Sequence, residues 1–327
     1  MNPLVWAWAG FLVFVLLILA LDLGVLNRKA HVISMKEAMT FTGFVALLAF
    51  LFAGFIFVAY DQHWLGLGMT VDGIDGIVNT GHLAAVKFIT GYIIEMSLSM
   101  DNVFVIALIF DHLRVPARFQ HRVLFWGILG ALIMRGTMIG IGASLVARYH
   151  WILYLFGVFL IYTALKMLLA KHATEEPEEA FVVRALRRVF PIAEGFRDRH
   201  FMVREEGRLL LTPLAVALVL VETTDLVFAV DSIPAIFAVT TDPFLVFTSN
   251  VFAILGLRSL YFALSGMIDR FRHLKVSLAL ILGVVGVKML AAEWLAHVLG
   301  PNTNFYLLAV IALILAAGVM ASLRSKA

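Results

Sequence analysis

The sequence is dominated by long apolar runs that alternate with short polar connections. The runs centre on residues 4–26, 40–60, 84–110, 123–147, 150–170, 211–239, 244–266, 276–298 and 304–322. Because about 20 consecutive apolar residues are enough for an α-helix to cross the hydrocarbon core of a bilayer, each run has the length of a transmembrane span. The sequence therefore predicts an all-α, polytopic membrane bundle of about nine transmembrane helices.

Composition agrees with a membrane protein and narrows the functions open to it. Hydrophobic residues make up 62% of the chain and charged residues 14%, and cysteine is absent. The lack of cysteine excludes disulfides, thiolate metal sites and cysteine nucleophiles. The sequence has no HExxH motif, and no serine, histidine and acid are expected at one depth, so we predict neither an enzyme nor a resident cofactor. The net charge of +3 comes from residues at membrane edges, which argues against a nucleic-acid partner.

The connections between the runs differ sharply in positive charge. One alternating set holds nineteen lysines and arginines, whereas the opposite set holds Arg148 alone. By the positive-inside rule, the N-terminus is expected outside and the C-terminus in the cytoplasm. Asp22, near the cytoplasmic end of the first span, suits a topological or gating role as well as a coordinating one.

The chain divides into three predicted parts. Residues 1–170 form an N-terminal transmembrane half with five helices, residues 171–210 a cytoplasmic loop, and residues 211–327 a C-terminal half with four helices. Within the loop, a predicted helix carries three arginines on one face and three apolar residues on the other; these are Arg184, Arg187 and Arg188, and Phe181, Leu186 and Val189. Such a helix is typical of the lipid interface, and packing or hinging between the two halves is the alternative.

The outer loop between the second and third spans is rich in glycine and acidic residues. It contains Asp61, Asp72 and Asp75. We interpret it as a solvated turn, and an attraction for cations is the alternative.

Five carboxylates lie inside the predicted membrane spans. Glu95 and Asp101 are in the third span, and Glu222, Asp225 and Asp231 are in the sixth. At about 2.5–3.5 kcal/mol each on insertion scales, five isolated acids would cost on the order of 12–17 kcal/mol, so something must compensate them. The basic residues near mid-depth are only two, Arg135 and Arg258. We therefore favour a cation or proton site over a purely structural network of salt bridges.

Helix geometry places only some of these acids together. Glu222 and Asp225 are three residues apart and share a helix face. Asp231 is turned by roughly 120° from Asp225 on a straight helix, and Asp101 is offset from Glu95 by a similar angle. A kink at Pro234 would provide a way to turn Asp231 toward the other acids and to free a backbone carbonyl for a cation, as in interrupted transporter helices.

The two acidic segments also suggest an internal repeat. One register overlays the segment from Glu95 to Asn102 on the segment from Asp225 to Ser232. An alternative register overlays Asp101 on Asp225. Because the third and sixth spans are predicted to run in opposite directions, the duplication would be an inverted repeat, which is common in secondary transporters.

The predicted metal-binding set consists of oxygen ligands. Its members are Glu95, Asp101, Asn102, Glu222, Asp225 and Asp231. Carboxylate, amide and carbonyl oxygens suit magnesium, calcium or manganese, and the histidines fall in loops or at helix ends, which argues against zinc or copper. Met96 and Met100 flank the acids of the third span, and a thioether would favour manganese, although methionine in an apolar helix is usually core filling.

Two long segments carry a family resemblance. They are GYIIEMSLSMDNVFVIALIF, from Gly91 to Phe110, and VETTDLVFAVDSIPAIFAVTTDPFLVFTSNVFAILGLRSLYF, from Val221 to Phe262. They resemble the two signature regions of the TerC/Alx family, and the opening ALDLGVLNRK, from Ala20 to Lys29, is similar as well.

The resemblance implies a multi-pass protein of the bacterial inner membrane, related to the LysE transporter superfamily. Members of the family are linked to tellurium resistance, and the Alx branch to manganese export at alkaline pH. By position, the intramembrane acids of the family correspond to the five acids identified above. Those five were singled out by the energetic cost of placing a carboxylate inside a membrane.

We therefore expect a manganese exporter that works by alternating access, with the divalent cation, protons and the lipid bilayer as its partners. A transporter for another cation such as calcium is one alternative. A membrane scaffold or a component of a tellurium-resistance complex, without transport, is another. A homo-oligomer is compatible with the sequence.

Overall fold

The computed structural model describes residues 3–21, 35–169, 176–193, 195–198, 200–205, 207–264 and 274–324. These ranges contain eleven helices and one β-hairpin. The helices are α1 Leu4–Leu21, α2 Met35–Asp61, α3 Gly81–His112, α4 Ala117–Arg148, α5 Ile152–Leu169, α6 Glu176–Val189, α7 Pro213–Phe237, α8 Pro243–Leu264, α9 Leu274–Leu290, α10 Ala292–Leu299 and α11 Thr303–Arg324. The strands are β1 Met202–Glu205 and β2 Arg208–Leu211, which pair in antiparallel fashion.

The predicted all-α, polytopic membrane fold is confirmed. Seven of the described helices, α2, α3, α4, α5, α7, α8 and α11, are long and apolar enough to cross a membrane. The apolar segment Leu4–Ala20 and the 17-residue α9 are shorter. The count of nine spans therefore stays a prediction, as do the three-part division of the chain and the inverted repeat. The third and sixth predicted spans correspond to α3 and α7.

Some sequence-based expectations fall outside the described residues. Asp22, the far ends of the first and seventh runs and the start of the cytoplasmic loop are among them. The side chain of Arg258 also lies outside the description.

Helix α8 lies at the centre of the bundle. It packs against α2, α3 and α4, and its residues Val251, Phe252, Ala253 and Ile254 are buried. The largest buried apolar cluster draws on helices before and after the cytoplasmic loop, so both parts of the membrane domain share one core. This interleaving brings the central segments of α3, α4, α7 and α8 together.

Aromatic side chains join α1 to the bundle. Phe11 of α1 lies 5.4 Å from Phe52 of α2 and 6.2 Å from Phe252 of α8, measured between ring centroids. Phe52 and Phe252 are themselves 5.0 Å apart. Such pairs add to the stability gained from their buried area, which explains how α1, exposed on much of its surface, is held in place.

Helix α6 is the amphipathic helix that the sequence predicts in the loop. Its apolar residues Val182, Val183 and Leu186 pack against a core cluster that includes the start of α7, and Arg184 and Arg188 are exposed. Val189 is 71% exposed, so this part of the apolar face is not covered by the chain. The structure thus supports packing against the bundle, and lipid contact stays a prediction. The hairpin that follows α6 was not expected from the sequence.

Candidate functional site

Arg135 of α4 joins two of the predicted intramembrane acids. Its Nε and Nη2 atoms donate to Oδ2 and Oδ1 of Asp225 on α7, at 3.2 and 2.9 Å. Its Nη1 atom donates to Oε1 of Glu95 on α3. All three residues are buried. The planar guanidinium thus binds the Asp225 carboxylate through two parallel hydrogen bonds and donates to the Glu95 carboxylate through its remaining nitrogen, Nη1.

Three neutral polar side chains complete this group, which we call the Arg135 cluster: Glu95, Asn102, Arg135, Asp225, Ser232 and Asn250. Asn250 of α8 accepts a hydrogen bond from Arg135 Nη1 at 2.8 Å. Ser232 Oγ lies 3.4 Å from the same nitrogen, and Asn102 donates to Asp225 Oδ1 at 3.3 Å. The cluster therefore gathers oxygen ligands from α3, α7 and α8 around one cationic group.

The charges in the Arg135 cluster do not balance. Two carboxylates against one guanidinium leave one negative charge when the acids are ionised. In addition, the buried acceptor atoms Glu95 Oε2 and Asn102 Oδ1 have no hydrogen-bond partner among the described residues, and the same is true of the donor Asn250 Nδ2. An unpaired buried acceptor costs about 1–3 kcal/mol, and an ionised one costs more. The site therefore favours an additional cation or proton.

A narrow cavity adjoins the cluster. It is lined by Asn102, Thr224 and Asp225 among others, and the centre of a water molecule can occupy about 20 Å³ of it. This volume is enough for one water. Of the residues with an unpaired oxygen, Asn102 lines the cavity, which therefore gives this residue room for one small ligand.

The cavity extends from the cluster toward one end of the bundle. Its other lining residues include Ile106 of α3, Leu124 of α4, Val221 of α7 and Leu257 of α8. Relative to the cluster, each of these lies toward the helix end at which the α3–α4 turn is found. That is the end for which the charge distribution predicts a cytoplasmic location.

Two of the other predicted ligands, Glu222 and Asp231, have described neighbours other than Arg135. Glu222 is half-buried against α4, where a Cβ added to Gly130 would overlap its Oε1. Asp231 accepts a hydrogen bond from Thr163 of α5 at 3.2 Å. Asp101 is half-buried. Among the contacts that the structure describes, those of Glu95, Asn102 and Asp225 bring these three predicted residues together in the Arg135 cluster.

The expectation that Pro234 turns Asp231 toward the other acids is wrong. Helix α7 continues through Pro234 to Phe237, and Asp231 points to α5 instead. Pro234 lacks the amide hydrogen that would donate to the carbonyl of Val230, and α7 ends three residues after it, at Phe237.

The described residues contain no group of three or more histidine, aspartate or glutamate side chains arranged to hold a metal ion. Met96 and Met100 pack against the apolar clusters as core filling. Metal binding by the six residues stays a prediction, and a role for thioether sulfur gains no support from these contacts.

The contacts follow the first of the two repeat registers. In that register Glu95 corresponds to Asp225, and both bind Arg135. Asn102 corresponds to Ser232, and both belong to the Arg135 cluster. Asp101 corresponds to Asp231, and neither has a contact with Arg135 among those described. In the first half of α3, a Cβ on Gly91 would lie 3.6 Å from Ile236, at the end of α7. Further along α3, Asn102 contacts Asp225, which comes earlier in α7. The two helices therefore run in opposite directions.

A second polar network closes the other end of the bundle. Lys87 of α3 donates to Asp72 Oδ2 at 2.9 Å and to Asn79 Oδ1 at 2.7 Å, and it lies 2.7 Å from Asp75 Oδ2. Asp72 also accepts from the backbone amide of Thr241 at 3.0 Å. The interpretation of this loop as a solvated turn is therefore wrong for Asp72, which is buried.

The partners of Asp72 decide its ionisation. Burial opposes the charge, but the Lys87 ammonium and the hydrogen bonds from Thr240, Lys87 and Thr241 outweigh it and hold the pKa of Asp72 at about 2. Nearby, Asp242 accepts a hydrogen bond from Tyr60 at 2.8 Å, and burial raises the pKa of Asp242. The loop from residue 62 to 80 is thus tied to α3 and to the α7–α8 turn by charged groups.

The two ends of the bundle therefore differ. The cavity leads from the Arg135 cluster toward the α3–α4 turn, whereas the Lys87–Asp72 network ties the loop and helix ends on the opposite side.

Comparison with known proteins establishes the family. Residues 80–327 match the model of the integral membrane protein TerC family. The chain belongs to this family. It is 47% identical to the uncharacterized membrane protein STKORF319 of Myxococcus xanthus over 97% of this chain and 91% of the relative.

Among the other relatives, the Alx proteins carry a functional name. The chain is 45% identical to Alx of Escherichia coli strain K12 over 90% of this chain and 87% of the relative, and Alx is named as a proposed membrane-bound redox modulator. The chain is also 39% identical to an uncharacterized membrane protein of Rickettsia felis over 89% of this chain and 90% of the relative. No solved structure matches the chain.

Sequence reasoning missed two features of the site. It noted Arg135 but did not pair it with both Glu95 and Asp225, and it gave Ser232 no role beyond the repeat. A buried arginine within an apolar helix is a signal for such pairing, because its charge needs partners from neighbouring helices. The sequence does not show which helices those are.

Proposed function

We propose that this protein transports a divalent cation, with manganese as the first candidate, from the cytoplasm to the outside by alternating access. The main support for this proposal is the Arg135 cluster, a buried group of oxygen ligands. It holds two carboxylates but one cationic group, Arg135, and it has unpaired acceptor atoms. Such a site is costly without a positive ligand. Oxygen ligands suit magnesium, calcium and manganese, and the family resemblance favours manganese among them.

The position of the cavity and the charge asymmetry support export as the direction of transport. The cavity leads to the bundle end that contains the α3–α4 turn, with Arg114, Arg118 and Arg122 in or near that turn. If this end is cytoplasmic, the cation enters from the cytoplasm and leaves after the Lys87–Asp72 network opens. Protonation of unoccupied carboxylates would return the site to its starting state.

The proposed redox role of the Alx relatives is compatible with metal transport but not with thiol chemistry in this chain. The 327 residues contain no cysteine. Thiol–disulfide exchange requires a thiolate, so these residues cannot carry it out.

The test is the manganese content of cells after a manganese load. Cells that express the wild-type protein are expected to hold less manganese than cells that express Asp225→Asn or Glu95→Gln at equal membrane abundance. Asp61→Asn, a change at an exposed aspartate, is the matched control and is expected to behave as the wild type. Equal manganese in wild-type and Asp225→Asn cells would reject manganese export, and repeating the load with calcium or magnesium would test the other cations.

A further inference from the structure

Arg135 binds oxygen atoms that a bound cation would also use. Its guanidinium contacts Glu95, Asp225 and Asn250, which supply two carboxylates and an amide oxygen. These are the oxygen atoms that a divalent metal would bind. A metal that took all of these oxygens as ligands would occupy the space that the guanidinium fills.

Arginine cannot leave by losing its proton, because it stays charged at all physiological pH values. It can leave the carboxylates only by moving to another partner. A carboxylate that lies beside α4 is Glu222 of α7, which is packed against Gly130, five residues before Arg135. Five residues correspond to roughly 7.5 Å of helix, and helical side chains lean toward the N-terminus, which is the direction of Gly130.

The charges favour this exchange. Glu95, Asp225 and Glu222 carry three negative charges when ionised, and Arg135 with one divalent cation carries three positive charges. A metal between Glu95 and Asp225 and a guanidinium on Glu222 would therefore form two neutral pairs. A low dielectric penalises net charge, so the loaded state is favoured over one in which metal and arginine share a pair of acids.

We propose that Arg135 is a built-in competitor of the transported cation, and that the cation displaces it from Glu95 and Asp225 to Glu222. Arg135 is thus a specificity-determining residue, because an ion with a single charge cannot compensate both acids while the arginine is displaced. Glu222 is the acceptor of the displaced arginine and not a ligand of the metal. This inference rests on the proposed cation transport.

The experiment measures manganese binding to purified full-length protein in detergent, with a double-mutant cycle on Arg135 and Glu222. Arg135→Gln removes the competitor and is expected to tighten binding by about tenfold or more, which corresponds to the loss of a competing charge-assisted pair. Glu222→Gln removes the acceptor and is expected to weaken binding by a similar factor. In the Arg135→Gln background, Glu222→Gln is expected to change binding by less than about twofold, because no arginine is left to displace.

Each other outcome contradicts a specific part of the proposal. An equal loss from Glu222→Gln in both backgrounds would make Glu222 a metal ligand and overturn the exchange. Weaker or unchanged binding in Arg135→Gln would make Arg135 a structural partner and overturn the competition. Arg148→Gln, at the exposed end of the same helix, is the matched control and is expected to leave binding unchanged.

A further variant guards against loss of folding. If Arg135→Gln does not fold, Arg135→Lys keeps the charge but loses the bidentate geometry, and it is expected to tighten binding several-fold. Unchanged or weaker binding by this variant would also overturn the competition. Failure of the wild-type protein to bind manganese, magnesium or calcium would instead reject the proposed function, so the two failures are distinguishable.

Discussion

Lys87 and Asp72 form an ion pair in which Nζ lies 2.9 Å from Oδ2 and neither side chain is exposed. Lys87 is on α3, about 12 Å of helix before Glu95, so the pair joins the loop that follows α2 to the helix that carries a cluster carboxylate. Breaking a buried pair by removing one partner is strongly destabilising, because it leaves an uncompensated buried charge. The pair is therefore both a stabilising element and the point at which this end of the bundle would have to open.

Replacing Lys87 by methionine is expected to reduce the free energy of unfolding by about 3–5 kcal/mol, since Asp72 and Asp75 both lose their cation. The measurement is denaturant titration of the purified protein in mixed micelles. Lys36→Met, at an exposed lysine of α2, is the control and is expected to change stability by less than about 0.5 kcal/mol. Equal stability of the two variants would mean that the Lys87 network is not closed in solution.

The acid sensitivity of folding is expected to depend on Asp72. The pKa of Asp72 is lowered from 3.8 to about 2 in the folded state, so its charge stabilises the fold above pH 3.8. This contribution, about 2 kcal/mol, is lost as the pH falls from 3.8 to about 2. Asp242, whose pKa is raised, contributes to the pH dependence of stability with the opposite sign. Its contribution is the same in the wild-type and variant proteins.

The measurement is the free energy of unfolding of wild-type protein and Asp72→Asn at pH 6 and at successively lower pH. Asp72→Asn removes the titrating group, so its stability is expected to fall less than that of the wild type below pH 4. Parallel pH profiles for the two proteins would show that Asp72 has no depressed pKa.

Much of the fold could be predicted from hydropathy, because apolar length alone decides which segments can cross a bilayer. The importance of Glu95 and Asp225 also followed from the cost of placing acids in a membrane. The pairing of both acids with Arg135 could not be predicted, because hydropathy does not specify which helix faces meet. Asp72 illustrates the same limit: it lies in a polar loop, and its burial depends on Lys87, Thr240 and Thr241, which are distant in the chain.

Asp231 shows a different limit of sequence reasoning. The expectation for this residue relied on a proline kink, whereas α7 continues to Phe237 and the carboxylate bonds to Thr163. Helix geometry predicted correctly that Asp231 and Asp225 point in different directions. The sequence did not show that α5 packs beside α7, where Thr163 of α5 donates a hydrogen bond to Asp231.

Helix α6 is expected to be held to the bundle by its apolar face. Leu186 packs against the cluster that includes the start of α7, so Leu186→Ala is expected to lower the free energy of unfolding by about 1–2 kcal/mol, less than for a fully buried leucine. Val189→Ala, at a residue that is 71% exposed on the same helix, is the control and is expected to change stability by less than about 0.5 kcal/mol. Equal effects would indicate that α6 is not docked on α7, and lipid contact would then be its main interaction.

Gly130 provides a test of Glu222 that leaves all charged groups in place. A Cβ at Gly130 would overlap Glu222 Oε1, so Gly130→Ala forces the flexible carboxylate to move while the helix itself gains stability from alanine. We expect manganese export from cells to fall by about tenfold, equivalent to about 1.4 kcal/mol, with no loss of protein stability. Gly140→Ala, on the same helix and with nothing within 4 Å of the added Cβ, is expected to export normally. If Gly130→Ala and Gly140→Ala export manganese equally well, the position of Glu222 is unimportant for transport, since both variants add the same methyl group to the same helix and differ only in what that group meets.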